Sequence, residues 1–199
     1  LPAEDTESYD NALEIYNASQ KAKKIISRLS NLSRKNAPQT FRAISPDRLA
    51  EQGLEVAGPV RPKAVRIETG FACGERDVLG DETQLFQVLL NLVLNAFEAL
   101  DAQGGTVRVS TAVQGSYIAL RVADNGPGIP EEARDKIFDP FFTTKGSGKG
   151  IGLGLAIVYQ IVEAHGGSIA MEAAAGQGTA FTVTLPAVRG ESPPAAELE

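Results

Sequence analysis

Residues 81–100 read Asp81-Glu-Thr-Gln-Leu-Phe-Gln-Val-Leu-Leu-Asn91-Leu-Val-Leu-Asn95-Ala-Phe-Glu98-Ala-Leu100. Asp81 can cap a helix, and the residues after it make a strongly apolar helix to about Leu100. Leu85, Phe86, Val88, Leu89, Leu90, Leu92, Val93 and Leu94 supply the apolar surface. Asn91 and Asn95 interrupt it, four residues apart and therefore on one face. A buried amide without a partner costs about 1–3 kcal/mol. Both side chains are thus either satisfied structural amides or groups waiting for a ligand, and an amide oxygen is a suitable hard ligand for Mg²⁺.

Outward from this helix, strands alternate with helices. Thr106 to Val113 and Tyr117 to Ala123 read as strands turning at Gln114-Gly115-Ser116. A polar, glycine-rich stretch covers Asp124 to Gly150, and Ile151 to Ala164 reads as a helix ended by His165-Gly166-Gly167. Ser168 to Ala174 and Thr179 to Leu185 form a second hairpin around Gly176-Gln177-Gly178. Upstream, Gln39 to Ile44 and Ala64 to Phe71 are strand candidates. Ser45-Pro46 opens a helix to about Ala57. Strands paired mostly as hairpins, with helices between them, predict an α+β fold: a two-layer α/β sandwich of one mixed sheet with helices on one face.

The two ends read differently from this middle. Ile15, Ala18, Ala22, Ile25, Leu29 and Leu32 make an a/d seam along one long N-terminal helix. Acidic residues crowd its start and basic residues its end, matching the helix dipole. Such a short seam needs a partner helix, either in an intermolecular bundle or in the chain's own globular part. Residues 189–199 are rich in Pro, Ala and Glu and are expected to be disordered. The expected organisation is therefore 1–37 helix, 38–188 globular domain and 189–199 tail.

Composition narrows the function. A net charge of −6 and a pI near 5.0 argue against a nucleic-acid partner, which needs a basic face. One cysteine, Cys73, excludes an intrachain disulfide framework, and a single His with it excludes Cys/His metal clusters. No run approaches 18 apolar residues, so no membrane contact is expected of this segment. There is no signal peptide. Because the chain begins at Leu1 rather than Met, it reads as a piece excised from a longer protein.

The Walker and dinucleotide glycine patterns both fail here, since the glycines from 146 to 154 fall at every second position. Two other segments carry chemistry. Asp124-Asn-Gly126-Pro-Gly128-Ile129 follows a strand. It offers a carboxylate and two glycines that admit a flat ligand to the backbone. An adenine amine suits that carboxylate and a guanine oxygen does not; alone, the segment is also an ordinary turn. Phe141-Phe142-Thr143-Thr144-Lys145 leads through alternating glycines into a helix N-terminus, a place where phosphate binds.

Taken together and in this order, these segments resemble the histidine kinase catalytic domain of the GHKL ATPase superfamily, over roughly Arg42 to Pro186. The N box is similar to Asp81–Leu100, the G1 box to Asp124–Gly128 and the F box to Phe138–Phe142. The G2 box is similar to Gly150–Leu155, and the last glycine motif to Gly176–Thr179. The resemblance implies the Bergerat fold, ATP and Mg²⁺. It implies that Asn95 ligates Mg²⁺, that Asn91 lies beside the phosphates and that Asp124 holds the adenine amine. Gly126 and Gly128 would shape the base pocket, with Thr179 at its rear. Phe138, Phe141 and Phe142 would anchor a lid. Lys145 and Lys149 would lie in the lid over the phosphates and Gly152 and Gly154 would wrap them, with Ile129, Phe138, Thr144, Gly150, Leu153 and Leu155 also among the ATP-binding residues. Asn91, Asn95 and Lys145 are the catalytic candidates.

Two positions depart from the family pattern. Ile151 stands where the G2 box more often has Thr, and Glu98-Ala99 stands where many relatives carry Lys followed by an aromatic residue. The variant is similar to the nitrogen-regulation and C4-dicarboxylate sensor kinases. Hydrolytic members of the superfamily place a general-base Glu where Asn91 stands, and an amide cannot take a proton. Phosphoryl transfer to a protein histidine is therefore favoured over hydrolysis. A degenerate nucleotide-sensing module is the other alternative, suggested by Ile151 and Glu98. Residues 5–35 resemble the second helix of a dimerisation hairpin whose first, histidine-bearing helix would precede Leu1. The only histidine, His165, is expected to cap carbonyls at a helix end. The implied partners are ATP, the phosphoacceptor helix and a response regulator receiver domain. The parent would be a cytoplasmic-facing homodimer, with or without a membrane anchor.

Overall fold

The computed structural model describes residues 40–101, 103–144, 151–174 and 176–189. The expected N-terminal helix, Lys145, Lys149, Gly150 and residues 190–199 lie outside them.

Helix α1 spans Pro46–Ala57. Ser45 caps it, its hydroxyl accepting the Arg48 N–H at 3.4 Å, and Pro46 takes the first turn, where no N–H is needed. Helix α2 spans Glu82–Leu100 and is capped by the Asp81 carboxylate, which accepts the Gln84 N–H at 3.0 Å. Its buried residues, Leu85, Val88, Leu89, Leu92, Val93, Ala96, Phe97 and Leu100, recur at helical spacing. By length and composition α2 could cross a membrane, although no unbroken apolar run suggested it. In the fold its apolar face is the core, and each of its large side chains contributes about 1.5–3 kcal/mol by burial. Gly53 of α1 lies against Leu89, so the two helices approach closely. A short helix α3, Glu131–Arg134, and a final helix α4, Gly154–Ala164, complete the layer.

Among the described residues, seven strands form the other layer: β1 Arg42–Ile44, β2 Val65–Ala72, β3 Arg76–Gly80, β4 Gly105–Gln114, β5 Tyr117–Asp124, β6 Ser168–Ala174 and β7 Gly178–Arg189. Their order is β1-β3-β7-β5-β4-β2, with β6 also paired to β7. Only β2 and β4 run parallel, so the sheet is mixed, as expected. Val78, Val107, Val109, Ile118, Leu120, Val122, Phe181, Val183 and Leu185 point to the helices and are buried. The alternate residues face outward, where Arg108 pairs with Glu68 and Arg121 with Glu172. The Asp47 carboxylate fastens α1 to the sheet. It accepts the Thr111 hydroxyl and the backbone N–H groups of Cys73 (3.1 Å) and Gly74 (3.2 Å).

Three expectations need correction. Strand β3 was not foreseen, because Arg76–Gly80 is short, opens on two charged residues and buries only Val78 and Gly80. Helix α4 starts at Gly154 rather than Ile151. Gly152 has φ 70° and lies against the Phe141–Phe142 backbone, which no helical residue can do. Strand β7 runs on to Arg189, since Ala187 and Val188 leave β5 and pair with β3.

Candidate functional site

Helix α2 positions the central pair. Asn91 and Asn95 are half-buried on one face, toward the start of α4. A Cβ on Gly154 would lie 3.7 Å from Asn91 Oδ1 and 3.9 Å from Asn95 Nδ2, so the glycine leaves about one carbon's room between the helix N-terminus and both amides. Among the described residues, Asn91 Nδ2 is buried without a hydrogen-bond partner. The structure therefore leaves open the polar position that the sequence flagged.

Asp124 ends β5, one residue short of the turn. Its Oδ1 accepts the Gly126 N–H at 2.8 Å, and the Thr179 N–H from β7 donates to the same carboxylate. Burial nevertheless raises its pKa above the ordinary aspartate value, the two N–H donors opposing that shift. Gly126 approaches the end of α2, where an added Cβ would be 3.4 Å from Leu100 and 3.5 Å from Ala99. One helix thus borders both the amide pair and the carboxylate. Thr179 is buried and pairs in register with Asp124. Gly178, at φ 87°, has no room for a side chain beside the Asp124 carbonyl.

Hydrogen bonds that the sequence did not announce hold this loop. Asn125 Oδ1 accepts the Thr106 N–H at 2.7 Å, and its own N–H returns to the Thr106 carbonyl at 3.3 Å. Gly176 donates to the Pro127 carbonyl at 2.8 Å, and Arg134 Nε to the Ile129 carbonyl at 3.4 Å. Asn-Gly and Pro-Gly announced a turn; of its braces, Thr106 and Gly176 come from far along the chain and Arg134 from five residues on.

Phe138 packs on Phe181 of β7 and Tyr159 of α4, with ring centroids 6.5 and 5.7 Å apart. Phe141 is 62% exposed and is the one described non-glycine residue at positive φ, 68°. Its N–H donates to the Gly152 carbonyl at 2.9 Å, a clasp that joins the two ends of the glycine-rich segment. Thr144 is exposed. The Leu153 side chain is fully buried, so that position can meet a ligand only through its backbone. Ile129, Leu155 and Gly128 lie half-exposed, Gly128 at φ 76°.

His165 is 6% exposed and does more than cap. Its Nδ1 lies 2.7 Å from the Ile161 carbonyl, and its Nε2 accepts the Asp81 N–H at 3.0 Å.

The model of the family "Histidine kinase-, DNA gyrase B-, and HSP90-like ATPase" matches residues 80–189, over half the chain. Sensor histidine kinase ZraS of Escherichia coli K12 is 44% identical over 110 residues, covering 55% of this chain and 23% of ZraS. C4-dicarboxylate transport sensor protein DctB of Rhizobium meliloti is 46% identical over 157 residues, covering 69% of this chain and 25% of DctB. The chain thus spans about a quarter of the length of these relatives. Among solved structures, full-length ShkA in complex with AMPPNP matches with a TM-score of 0.78 at 29% identity, over 97% of this chain and 41% of that one. Histidine kinase ThkA in complex with response regulator protein TrrA matches with a TM-score of 0.73 at 27% identity, over 96% and 54%. The sheet and helices of the Bergerat type, the two amides on the buried helix, the carboxylate behind its glycine turn and these matches agree. The chain belongs to the histidine kinase-, DNA gyrase B- and HSP90-like ATPases, and what it carries is a catalytic ATP-binding domain of the sensor histidine kinase kind.

Proposed function

We propose that this domain transfers the γ-phosphoryl group of ATP to a histidine on the dimerisation hairpin of its parent kinase, for onward transfer to a response regulator aspartate. The observation that carries the reading is the unpartnered Asn91 amide beside Asn95 at the glycine start of α4. Backbone N–H groups at that helix end suit phosphate oxygens. Asn91 cannot act as a general base on water, whereas phosphoryl transfer relies on positioning and charge neutralisation. Asn95 would hold Mg²⁺. The described residues contain no cluster of three acidic or His/Cys ligands, and one amide oxygen fits an ion that keeps waters and nucleotide phosphates in its shell. Bound there, the ion supplies positive charge to the β- and γ-phosphates. Asp124 would accept the adenine amine and oppose a guanine oxygen. Lys145 and Lys149 would neutralise phosphate charge from the lid.

We assign residues 1–37 to the second hairpin helix, 38–188 to the catalytic domain and 189–199 to a tail. The parent would be a homodimer whose kinase part faces the cytoplasm. The likeness to ZraS, DctB and ThkA supports this. The acceptor would lie outside the chain, because its single histidine is the buried His165. The test supplies a hairpin bearing a histidine, together with Mg²⁺ and radiolabelled ATP. Acid-labile phosphate should appear on the hairpin and not on this chain alone. Steady release of inorganic phosphate without a hairpin would instead support a hydrolase, and label on the isolated chain would refute the acceptor assignment.

A further inference from the structure

We infer that His165 is a positioning residue for nucleotide binding: it sets how far α4 slides along α2, and thereby where Gly152–Gly154 stand relative to Asn91 and Asn95. The inference rests on the reading that those groups hold the ATP phosphates. The two helices run antiparallel. The start of α4 faces Asn91 and Asn95 across about one carbon's width at Gly154, and its end meets Asp81 at the start of α2. At about 1.5 Å per residue, the 11-residue α4 and the stretch from Asp81 to Asn91 both span roughly 15 Å. The imidazole thus pins one end of the pair, and the gap between Gly154 and the two amides lies at the other.

The ring's chemistry is fixed by its partners. A carbonyl only accepts, so Nδ1, 2.7 Å from the Ile161 oxygen, carries the proton. An N–H only donates, so Nε2, 3.0 Å from the Asp81 nitrogen, is the acceptor. The Asp81 N–H is one of those a helix start leaves without an internal partner. One neutral tautomer therefore links the last turn of α4 to the first turn of α2. The ring cannot shift to accommodate a slip. Phe41 stacks on it at 4.9 Å with the planes 12° apart, and Gly80 backs it so closely that an added Cβ would lie 2.7 Å from Cδ2. An apolar side chain could fill the volume but could not hold the Asp81 N–H.

The experiment measures three quantities on the whole 199-residue chain: ATP affinity with Mg²⁺ by calorimetry, adenosine affinity by NMR titration, and melting temperature. Losing one net hydrogen bond at the pinned end should raise the ATP dissociation constant about tenfold in His165→Phe and His165→Asn. Adenosine, held at the Asp124 side, should bind as to wild type. His165→Gln, whose Oε1 can reach the Asp81 N–H, should recover ATP affinity to within about threefold. Gly80→Ala, which crowds the ring without removing it, should reproduce the ATP-specific loss. Equal ATP affinity in wild type and His165→Phe would overturn the inference, as would a parallel loss of adenosine. If His165→Phe does not fold, equal ATP affinities for the Asn and Gln variants overturn it equally well. A wild-type chain that binds adenosine but not ATP would remove the phosphate reading first, and this inference with it.

Discussion

Replacing Asn91 by leucine should make the domain more stable and, at the same time, unable to bind Mg·ATP. Asn91 Nδ2 is buried with no partner among the described residues, on a helix whose neighbours Leu92 and Val93 are core. An unsatisfied buried donor costs about 1–3 kcal/mol, and leucine removes that penalty with a side chain of the same branching and heavy-atom count. For a chain of this size, each kcal/mol moves the melting temperature by about 2–4 °C, so the unliganded variant should melt roughly 2–12 °C higher. The wild type at 1,000 times its dissociation constant should gain about 4.1 kcal/mol from ligand, and the variant nothing. Thermal unfolding with and without Mg·ATP should therefore show the order of stability reversing on addition of nucleotide. A variant that melts below wild type without ligand would mean that Asn91 is a satisfied structural amide. A variant that keeps the nucleotide-induced shift would remove Asn91 from the phosphate side of the site. Either result defeats the reasoning.

Asp124→Asn should weaken ATP by about 10- to 150-fold, the worth of a hydrogen bond to a charged group, and narrow the gap to GTP; calorimetry with both nucleotides decides it. The same carboxylate predicts a pH signature. Burial raises its folded pKa, so the folded state holds the proton where the unfolded state has released it. This group's contribution to unliganded stability then declines as pH rises from the ordinary aspartate value to the raised one. ATP affinity should strengthen over that same window, and Asp124→Asn should flatten both trends. Cys73 is buried and its thiol is pushed up to about 11, chiefly by burial, so at pH 8 only about one thiol in a thousand is ionised. A thiol reagent should label it only on unfolding, and rapid native labelling would contradict its place beneath Asp47.

The helix that carries the site was legible because its information is local: an Asp cap, apolar residues at helical spacing, and two amides that break the pattern on one face. The glycine turn after Asp124 was legible for the same reason. What was hidden depends on residues that meet only in the fold. Parallel pairing of β2 with β4 places Val65 opposite Gly105, and nothing in either segment announces it. Strand β3 carries one fully buried large side chain, Val78, too few to register as an alternation. The capping role of His165 could be read from its place after the helix. Its bond to Asp81 crosses 84 residues and could not.

The Phe141–Gly152 clasp has a consequence for how related chains can diversify. A segment whose two ends are tied together behaves as an insert in a fixed frame. Doubling the length of such an insert adds only about 0.6 kcal/mol of closure entropy. The stretch between the two tie points should thus tolerate changes of length, provided that Lys145 and Lys149 are kept, while the frame that borders the nucleotide keeps its shape. Grafting that stretch between sister kinases is then a route to altering turnover without re-engineering the domain beneath it.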